Sequence, residues 1–324
     1  MTVFSNPTVT RTLDLAQHIA IRDFSSPVRS KAGRILWDQW GVCRAARRAG
    51  HEWLFLPKGF SPFLRRPPVK LAAYVHDLMG EHYHRHHRGY EPRLEYEYFA
   101  RCLAATLQHA TVVFTNTDCT RRDVENLARH WNLPVPRVVT AGYGFDAPGL
   151  RDPAAKENRV LLFASKVPHK LTGLALRFLS HWLETRRFDG QIDCIGILSP
   201  DMERPTSPAW NWIGRVPPAR SRELIRRARV VVYASEYEGF GMPPVEAVME
   251  GTCPLYSNLP PLREVMGDAG QAFSNDSADS FVAAMDRALS TPPETIAGWS
   301  RELLARHNWP AVTRRIVDGL TAAG

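Results

Sequence analysis

Two carboxylates bracket the run Glu238-Gly239-Phe240-Gly241-Met242-Pro243-Pro244-Val245-Glu246. Gly239 and Gly241 lack a Cβ, which lets the backbone approach a ligand closely and adopt positive φ. Pro243 and Pro244 suit the first turn of a helix, where an N–H has no intrahelical partner. The remaining N–H groups of the loop and helix start form an anion site that the helix dipole strengthens, and pyrophosphate is its natural guest. A carboxylate accepts hydrogen bonds from two neighbouring hydroxyls. Glu246, expected in the first helical turn, suits a ribose diol, and Glu238, before the glycines, suits the hydroxyls of a second sugar. Sugar, phosphate and ribose in that order make a nucleotide sugar. The plainer alternative puts both glutamates on a solvated loop and helix start; the glycines, prolines and preceding strand favour the ligand.

The elements that must hold these groups are readable nearby. Val230 to Tyr233 is an apolar, β-branched run of the kind that forms a buried parallel strand. Ala247 to Gly251 reads as a short helix with a glycine stop. A second strand, Arg159 to Ala164, leads into Ser165-Lys166-Val167-Pro168-His169-Lys170 and a helix from about Leu171. Two cations and a hydroxyl thus stand at the top of a second strand-to-helix crossing, where fixed positive charge can meet an anion; the plainer alternative is a pair of solvated loop charges. In the first half, Val69 to Val75 is a strand entering His76-Asp77. A helix over Arg93 to Gln108, a strand over Ala110 to Thr115, a helix over Arg121 to His130 and a short strand over Arg137 to Thr140 follow. Further strands are expected near Gln191–Ile195 and Thr252–Tyr256. Strand and helix alternate throughout, which implies two parallel sheets covered by helices, with ligands beyond the carboxyl ends of the strands. His76 and Glu238 both fall there.

The beginning fits less well. Ile19 to Ile21 is a weak strand candidate and Ser30-Lys31-Ala32-Gly33-Arg34 a weak loop candidate, before a helix over Ile35 to Arg48 and a strand over Trp53 to Leu56. The first βα unit therefore reads as shortened or atypical. The expected division is a first Rossmann-like domain over 1–146, a Pro- and Gly-rich linker over 147–158, a second Rossmann-like domain over 159–305, and a final helix over 306–324.

The 324 residues carry 41 Lys+Arg against 33 Asp+Glu, net +8. The excess lies in residues 1–150, with 20 Lys+Arg against 13 Asp+Glu. That half could attract an anionic surface such as inner-leaflet lipid or a lipid diphosphate. No basic-aromatic module accompanies it, so a nucleic-acid partner is not expected. No apolar run approaches a bilayer span, and Met1 to Thr12 lack a signal-peptide core. Five scattered cysteines (Cys43, Cys102, Cys119, Cys194, Cys253) argue for reduced thiols and a cytoplasmic protein. His82, His84, His86 and His87 invite a metal reading, but the flanking arginines and Tyr83 favour a mobile surface loop, open to acceptor or phosphate contact.

Ser235-Glu236-Tyr237-Glu238-Gly239-Phe240-Gly241-Met242-Pro243-Pro244-Val245-Glu246-Ala247 resembles the E-x7-E signature of the retaining GT-B glycosyltransferases, specifically the family 4 group. Gly251-Thr252, Ser257-Asn258, Glu264-Val265 and Gly267-Asp268-Ala269-Gly270 follow the same pattern. The resemblance covers roughly residues 69–310. It implies the GT-B architecture, two doubly wound domains facing across a cleft, and transfer of a sugar from a nucleotide sugar with retention of configuration. It implies Glu238, His76 and Lys170 at the reacting sugar, and Lys166, Lys170, Ser165, Gly239, Phe240 and Gly241 at the donor diphosphate. Glu246 would then hold the ribose, and Trp212, Ile213 and Gly214 would border the nucleobase. Trp212 could equally be core. No metal or other cofactor is expected, since the Asp-x-Asp of metal-dependent GT-A enzymes is lacking. The implied partners are a nucleotide sugar (GDP-mannose or a UDP-hexose) and a glycan or lipid-linked acceptor, at the inner face of the plasma membrane. A catalytically silent nucleotide-sugar-binding scaffold and a GT-B epimerase are the rival readings.

Overall fold

Lys70–Val75 (β4) is buried from Leu71 onward. An all-apolar strand of this kind needs helices on both sides, and the computed structural model, which describes residues 2–5, 20–23, 30–146 and 156–323, supplies them. Trp53–Leu56 (β3), β4, Val112–Thr115 (β5) and Val138–Thr140 (β6) form a four-stranded parallel sheet in the order β3-β4-β5-β6. One face packs Val75 and Val113 against Leu103, Leu107, Val124 and Leu127. These come from helices Arg93–His109 and Asp118–His130. The other face packs Tyr74, Val112 and Phe114 against Ile316 and Leu320, from the last helix of the chain, Trp309–Thr321.

The second sheet is parallel and six-stranded. Arg159–Ala164 (β7), Gln191–Gly196 (β8), Trp210–Gly214 (β9), Val230–Tyr233 (β10), Cys253–Ser257 (β11) and Gln271–Phe273 (β12) lie in the order β12-β11-β10-β7-β8-β9. The order reverses at β7 and β10, and the two expected ligand loops leave those neighbouring strands, at the topological switch point where α/β sheets bind ligands. Trp182, Leu179, Phe281 and Tyr256 fill the larger core. Removing such side chains from water stabilises the domain by about 1.5–3 kcal/mol each.

Three sequence expectations change. Ser30 to Arg34 is no glycine loop: Ser30 caps a helix by accepting from Gly33 N–H at 3.0 Å, and Lys31–Leu36 continues through a π turn, Trp37–Gly41, into Val42–Arg48. Thr2–Ser5 (β1) and Ala20–Asp23 (β2) pair in parallel as a separate two-stranded sheet, so this part of the chain does not extend the four-stranded one; Ile19 lies outside the described residues. The histidine-rich stretch is the helix Met79–His86 (α3 after the helices Lys31–Leu36 and Val42–Arg48) and not a loop. Of the expected linker, 147–155 lie outside the described residues. The five cysteines are buried free thiols. Among the described residues, no helix is long and apolar enough to cross a membrane.

Candidate active site

Glu238 follows β10 and is only 8% exposed. Its Oε1 accepts from Lys170 Nζ at 2.6 Å and from Tyr233 OH at 2.7 Å. Lys170 also sits 4.6 Å over the Tyr233 ring and bonds its hydroxyl. Burial and the adjacent carboxylate push the Tyr233 phenol well above its ordinary range, so it remains a donor. Both donors use one oxygen, which leaves Oε2 as the atom on offer to a hydroxylated ligand. Two expected residues, Glu238 and Lys170, are thus brought into contact. Tyr233 was missed; its place as the last residue of a buried strand, five before Glu238, was the available signal.

Lys166 is exposed and forms no ion pair or hydrogen bond among the described residues. Ser165 Oγ accepts from Val167 N–H at 3.2 Å, and Thr172 Oγ1 ties the Ser165 backbone on both sides. The serine hydroxyl thereby shapes the loop that carries the two lysines. His169, between them, is buried beside Lys170; burial first, then that cation, lowers its pKa to about 4. Its Nδ1 meets Tyr83 OH at 2.5 Å.

Glu246 is the fifth residue of helix Met242–Met249 and stands one residue beyond the first turn where it was expected; no acidic residue occupies that turn. The two prolines shift the first turn to Met242–Val245. Burial raises the Glu246 pKa, Arg222 opposes that shift, and Glu250 adds to it. Arg222, on helix Pro218–Arg227, is a further missed neighbour.

Gly239 and Gly241 meet the two uses expected of them, close backbone approach and positive φ, in different ways. Gly241 has φ +82° and caps the helix. A Cβ on Gly239 would stand 2.2 Å from the His76 carbonyl oxygen and 2.8 Å from Asp77 Cβ. The close approach it permits is that of the first domain. Its own carbonyl accepts from Thr117 Oγ1 at 2.9 Å and Thr120 Oγ1 at 3.3 Å. Phe240 is buried edge-on against Tyr143 and His307.

His76 points along the same junction. Its Nε2 lies 2.7 Å from Pro57 O and its Nδ1 2.5 Å from Tyr143 OH, with the Tyr143 ring stacked on it at 5.6 Å. A carbonyl can only accept, so Nε2 carries the proton and Nδ1 accepts from tyrosine. Both nitrogens are engaged, and contact with a sugar requires one of these bonds to open. Asp77 Oδ1 accepts from Met79 N–H at 2.9 Å and braces the start of α3.

Trp212 stacks on Trp210 at 5.6 Å, with Arg204 5.3 Å above its ring, and packs against the large core. The tryptophan is therefore a core-edge residue whose open face is covered by Arg204. Ile213 packs on the opposite side of the strand. Gly214 ends it with φ +80° and open space around its α-carbon.

Two contacts that sequence reading did not foresee fasten the domains. Glu264, on helix Pro260–Met266, accepts from Asp118 N–H at 2.5 Å and Cys119 N–H at 2.9 Å. Thr117 Oγ1 accepts from Thr120 N–H at 3.0 Å, so the N–H groups of the helix's first three residues all have partners. Glu236 accepts from His82 Nε2 at 3.0 Å and from His87 Nε2. Burial pushes the Glu236 carboxyl up, and the two imidazoles outweigh it and hold it below the usual range. None of these partners stands near the other in sequence.

The pair of doubly wound parallel domains, with strand ends facing one another, is the GT-B fold. A sucrose-phosphate synthase from Thermosynechococcus elongatus has a similar structure, with a TM-score of 0.66 at 15% identity over 96% of this chain and 86% of that one. Residues 203–302 match the family described as Glycosyl transferases group 1. Among curated proteins, the O-antigen chain mannosyltransferase B of Escherichia coli is 29% identical over 222 residues, 62% of this chain and 57% of that protein. The phosphatidyl-myo-inositol mannosyltransferase of Mycolicibacterium smegmatis is 28% identical over 215 residues, 60% of this chain and 55% of that protein. The chain thus spans little more than half the length of these relatives. The chain has the GT-B fold, and residues 203–302 of its second domain are similar to the glycosyl transferases group 1 family.

Proposed function

We propose that this protein is a retaining glycosyltransferase that moves a hexose from a nucleotide diphosphate sugar to a glycan or lipid-linked acceptor. The observation that carries the reading is the buried Glu238, held by Lys170 and Tyr233 at the switch point of the second sheet with one carboxylate oxygen left over. In this reading Oε2 of Glu238 takes sugar hydroxyls, Lys166 and Lys170 neutralise the departing diphosphate, and Glu246 holds the ribose. Glu238 is a binding group and not a covalent nucleophile. The leaving phosphate helps deprotonate the acceptor hydroxyl on the same face, which gives retention. Lysines supply the charge neutralisation a metal would otherwise provide, so the transfer needs no metal. GDP-mannose is the favoured donor, since both curated relatives above are mannosyltransferases, with a UDP-hexose second.

The acceptor side is read as membrane-facing. Ile35, Leu36, Trp40 and Leu64 are exposed, and Arg44, Arg47, Arg48 and Arg65, close to them in the chain, line one hollow of about 440 Å³. Apolar anchors beside clustered arginines suit the interface of an anionic bilayer.

The test is incubation of the full chain with a panel of nucleotide sugars and a polyprenyl-linked acceptor, with release of free nucleoside diphosphate as the readout. Glu238→Ala should abolish release, and Glu246→Ala should chiefly weaken nucleotide binding. Tight binding of a nucleotide sugar with no turnover on any acceptor would support the scaffold reading instead. Near-normal release by a folded Glu238→Ala variant would refute the assignment.

A further inference from the structure

His82, His87 and Glu236 lie within 4.8 Å of one another through their ligating atoms, two imidazole Nε2 and one carboxylate oxygen. Two of the three come from the first domain. His82 sits in the third position after Met79 on α3 (Met79–His86), and His87 is the residue that ends that helix, with φ −128° and ψ 56°. Those backbone angles break the helical path and turn the second imidazole back toward the first. Glu236 comes from the loop after β10 in the second domain.

We infer that His82, His87 and Glu236 form a divalent-metal site of the zinc class that bridges the two domains. Both Nε2 atoms converge on the same oxygen, Oε1 of Glu236. As a hydrogen-bond pair this crowds two ring N–H groups onto one acceptor atom. As a metal site it needs only that the two imidazoles are neutral and the carboxylate ionised, with the cation between them at about 2.0–2.2 Å from each. Two nitrogens and one oxygen suit Zn²⁺ and its first-row neighbours, whereas Mg²⁺ and Ca²⁺ prefer oxygen-only shells. The rings are already held in position. His82 stacks on Tyr237 at 4.5 Å, and His87 meets Tyr83 edge-on at 5.9 Å. Tyr83 is in turn fastened to His169. All three ligands are partly exposed, which leaves an entry path and a fourth position for water.

The set is complete only when the domains are together, because neither contributes more than two ligands. Binding therefore favours the closed arrangement by linkage, and closure favours binding by the same factor. The site uses none of Lys166, Lys170, Glu238 or Glu246, so it is distinct from the donor groups proposed above and stands or falls separately from them.

The experiment uses the full chain, stripped with a chelator and dialysed. ZnCl₂ and MgCl₂ are titrated by calorimetry, CoCl₂ is followed by its visible absorption, and thermal unfolding is recorded with and without ZnCl₂. The expected result is one equivalent of Zn²⁺, no Mg²⁺, an intense tetrahedral Co²⁺ band, and a Zn²⁺-dependent rise in Tm. His82→Ala combined with His87→Ala should remove the band and the rise, and Glu236→Gln, which preserves volume and an acceptor oxygen, should weaken Zn²⁺ by roughly tenfold or more. Circular dichroism checks that each variant is folded. Absence of Zn²⁺ binding at micromolar concentration overturns the inference, and so does a stoichiometry and affinity unchanged in folded Glu236→Gln.

Discussion

Gly239→Ala separates two explanations of one glycine. The new Cβ would lie 2.2 Å from the His76 carbonyl oxygen, roughly 1 Å inside ordinary contact. That oxygen is backbone at the end of a central strand and also accepts from Asn116 Nδ2 at 2.7 Å, so it does not swing aside. Relief must come from parting the two domains by a comparable distance. The bonds from Thr117 Oγ1 at 2.9 Å and Thr120 Oγ1 at 3.3 Å to the Gly239 carbonyl then stretch or break. Each is a net contribution of about 0.5–1.5 kcal/mol, and overpacking a tight contact costs about 1–3 kcal/mol. The closed arrangement should thus lose about 1–3 kcal/mol against open ones, a population change of about 5- to 150-fold. Small-angle X-ray scattering should show a larger radius of gyration for the variant, with unchanged circular dichroism. Nucleoside diphosphate affinity measured by calorimetry should fall only as far as binding depends on closure. If scattering is unchanged while nucleotide binding is abolished, the glycine serves a ligand and the argument from domain contact is wrong.

Tyr233→Phe removes a donor 2.7 Å from the Glu238 carboxylate; a hydrogen bond to a charged group is worth about 1.5–3 kcal/mol, so turnover should fall by ten- to hundredfold with the fold intact, and unaltered kinetics would remove Tyr233 from the site. Glu264→Ala strips two N–H groups of their partner and should lower stability by about 0.5–2 kcal/mol, seen as a drop in the urea midpoint, whereas Glu264→Gln should retain part of it. Glu246 gives a pH prediction. Burial raises its pKa, so ionising it costs stability above the ordinary carboxylate range, and it takes up a proton at higher pH than a free glutamate as the solution is acidified. Nucleotide affinity should therefore decline on acidification before exposed carboxylates titrate, and Glu246→Gln should bind more weakly with that decline gone; a wild-type affinity flat to pH 4.5, roughly the unperturbed glutamate value, would contradict the role.

How much was legible in the chain depended on whether a residue's partner was local. β7 and β10 have the bounds read from sequence, because unbroken apolar runs specify buried parallel strands without help from elsewhere. Glu238 and Lys170 were found because glycines, prolines and a strand end mark their loops. α3 was not, since Tyr83 is its one buried residue and a single inward side chain generates no helical period. Glu246 fell one residue beyond the first turn because two prolines fix where a helix can begin but not which residue counts as its first. Gly239, Glu236 and Glu264 carry no sequence mark of their roles at all. Their partners lie more than a hundred residues away, and an interdomain contact is a property of two folded bodies.

The Glu264 carboxylate at the start of helix Asp118–His130 has a kinetic consequence. The amide protons of Asp118 and Cys119 are bound to a group in the other domain, while that of Arg121 is bound to the Thr117 carbonyl of its own helix. Hydrogen exchange at the first two is therefore gated by domain separation, and exchange at Arg121 by fraying of one helix. The protein thus contains an unlabelled clock for cleft opening with its control in the same helix, and any ligand that holds the domains shut will slow exchange at Asp118 and Cys119 and leave Arg121 as it was.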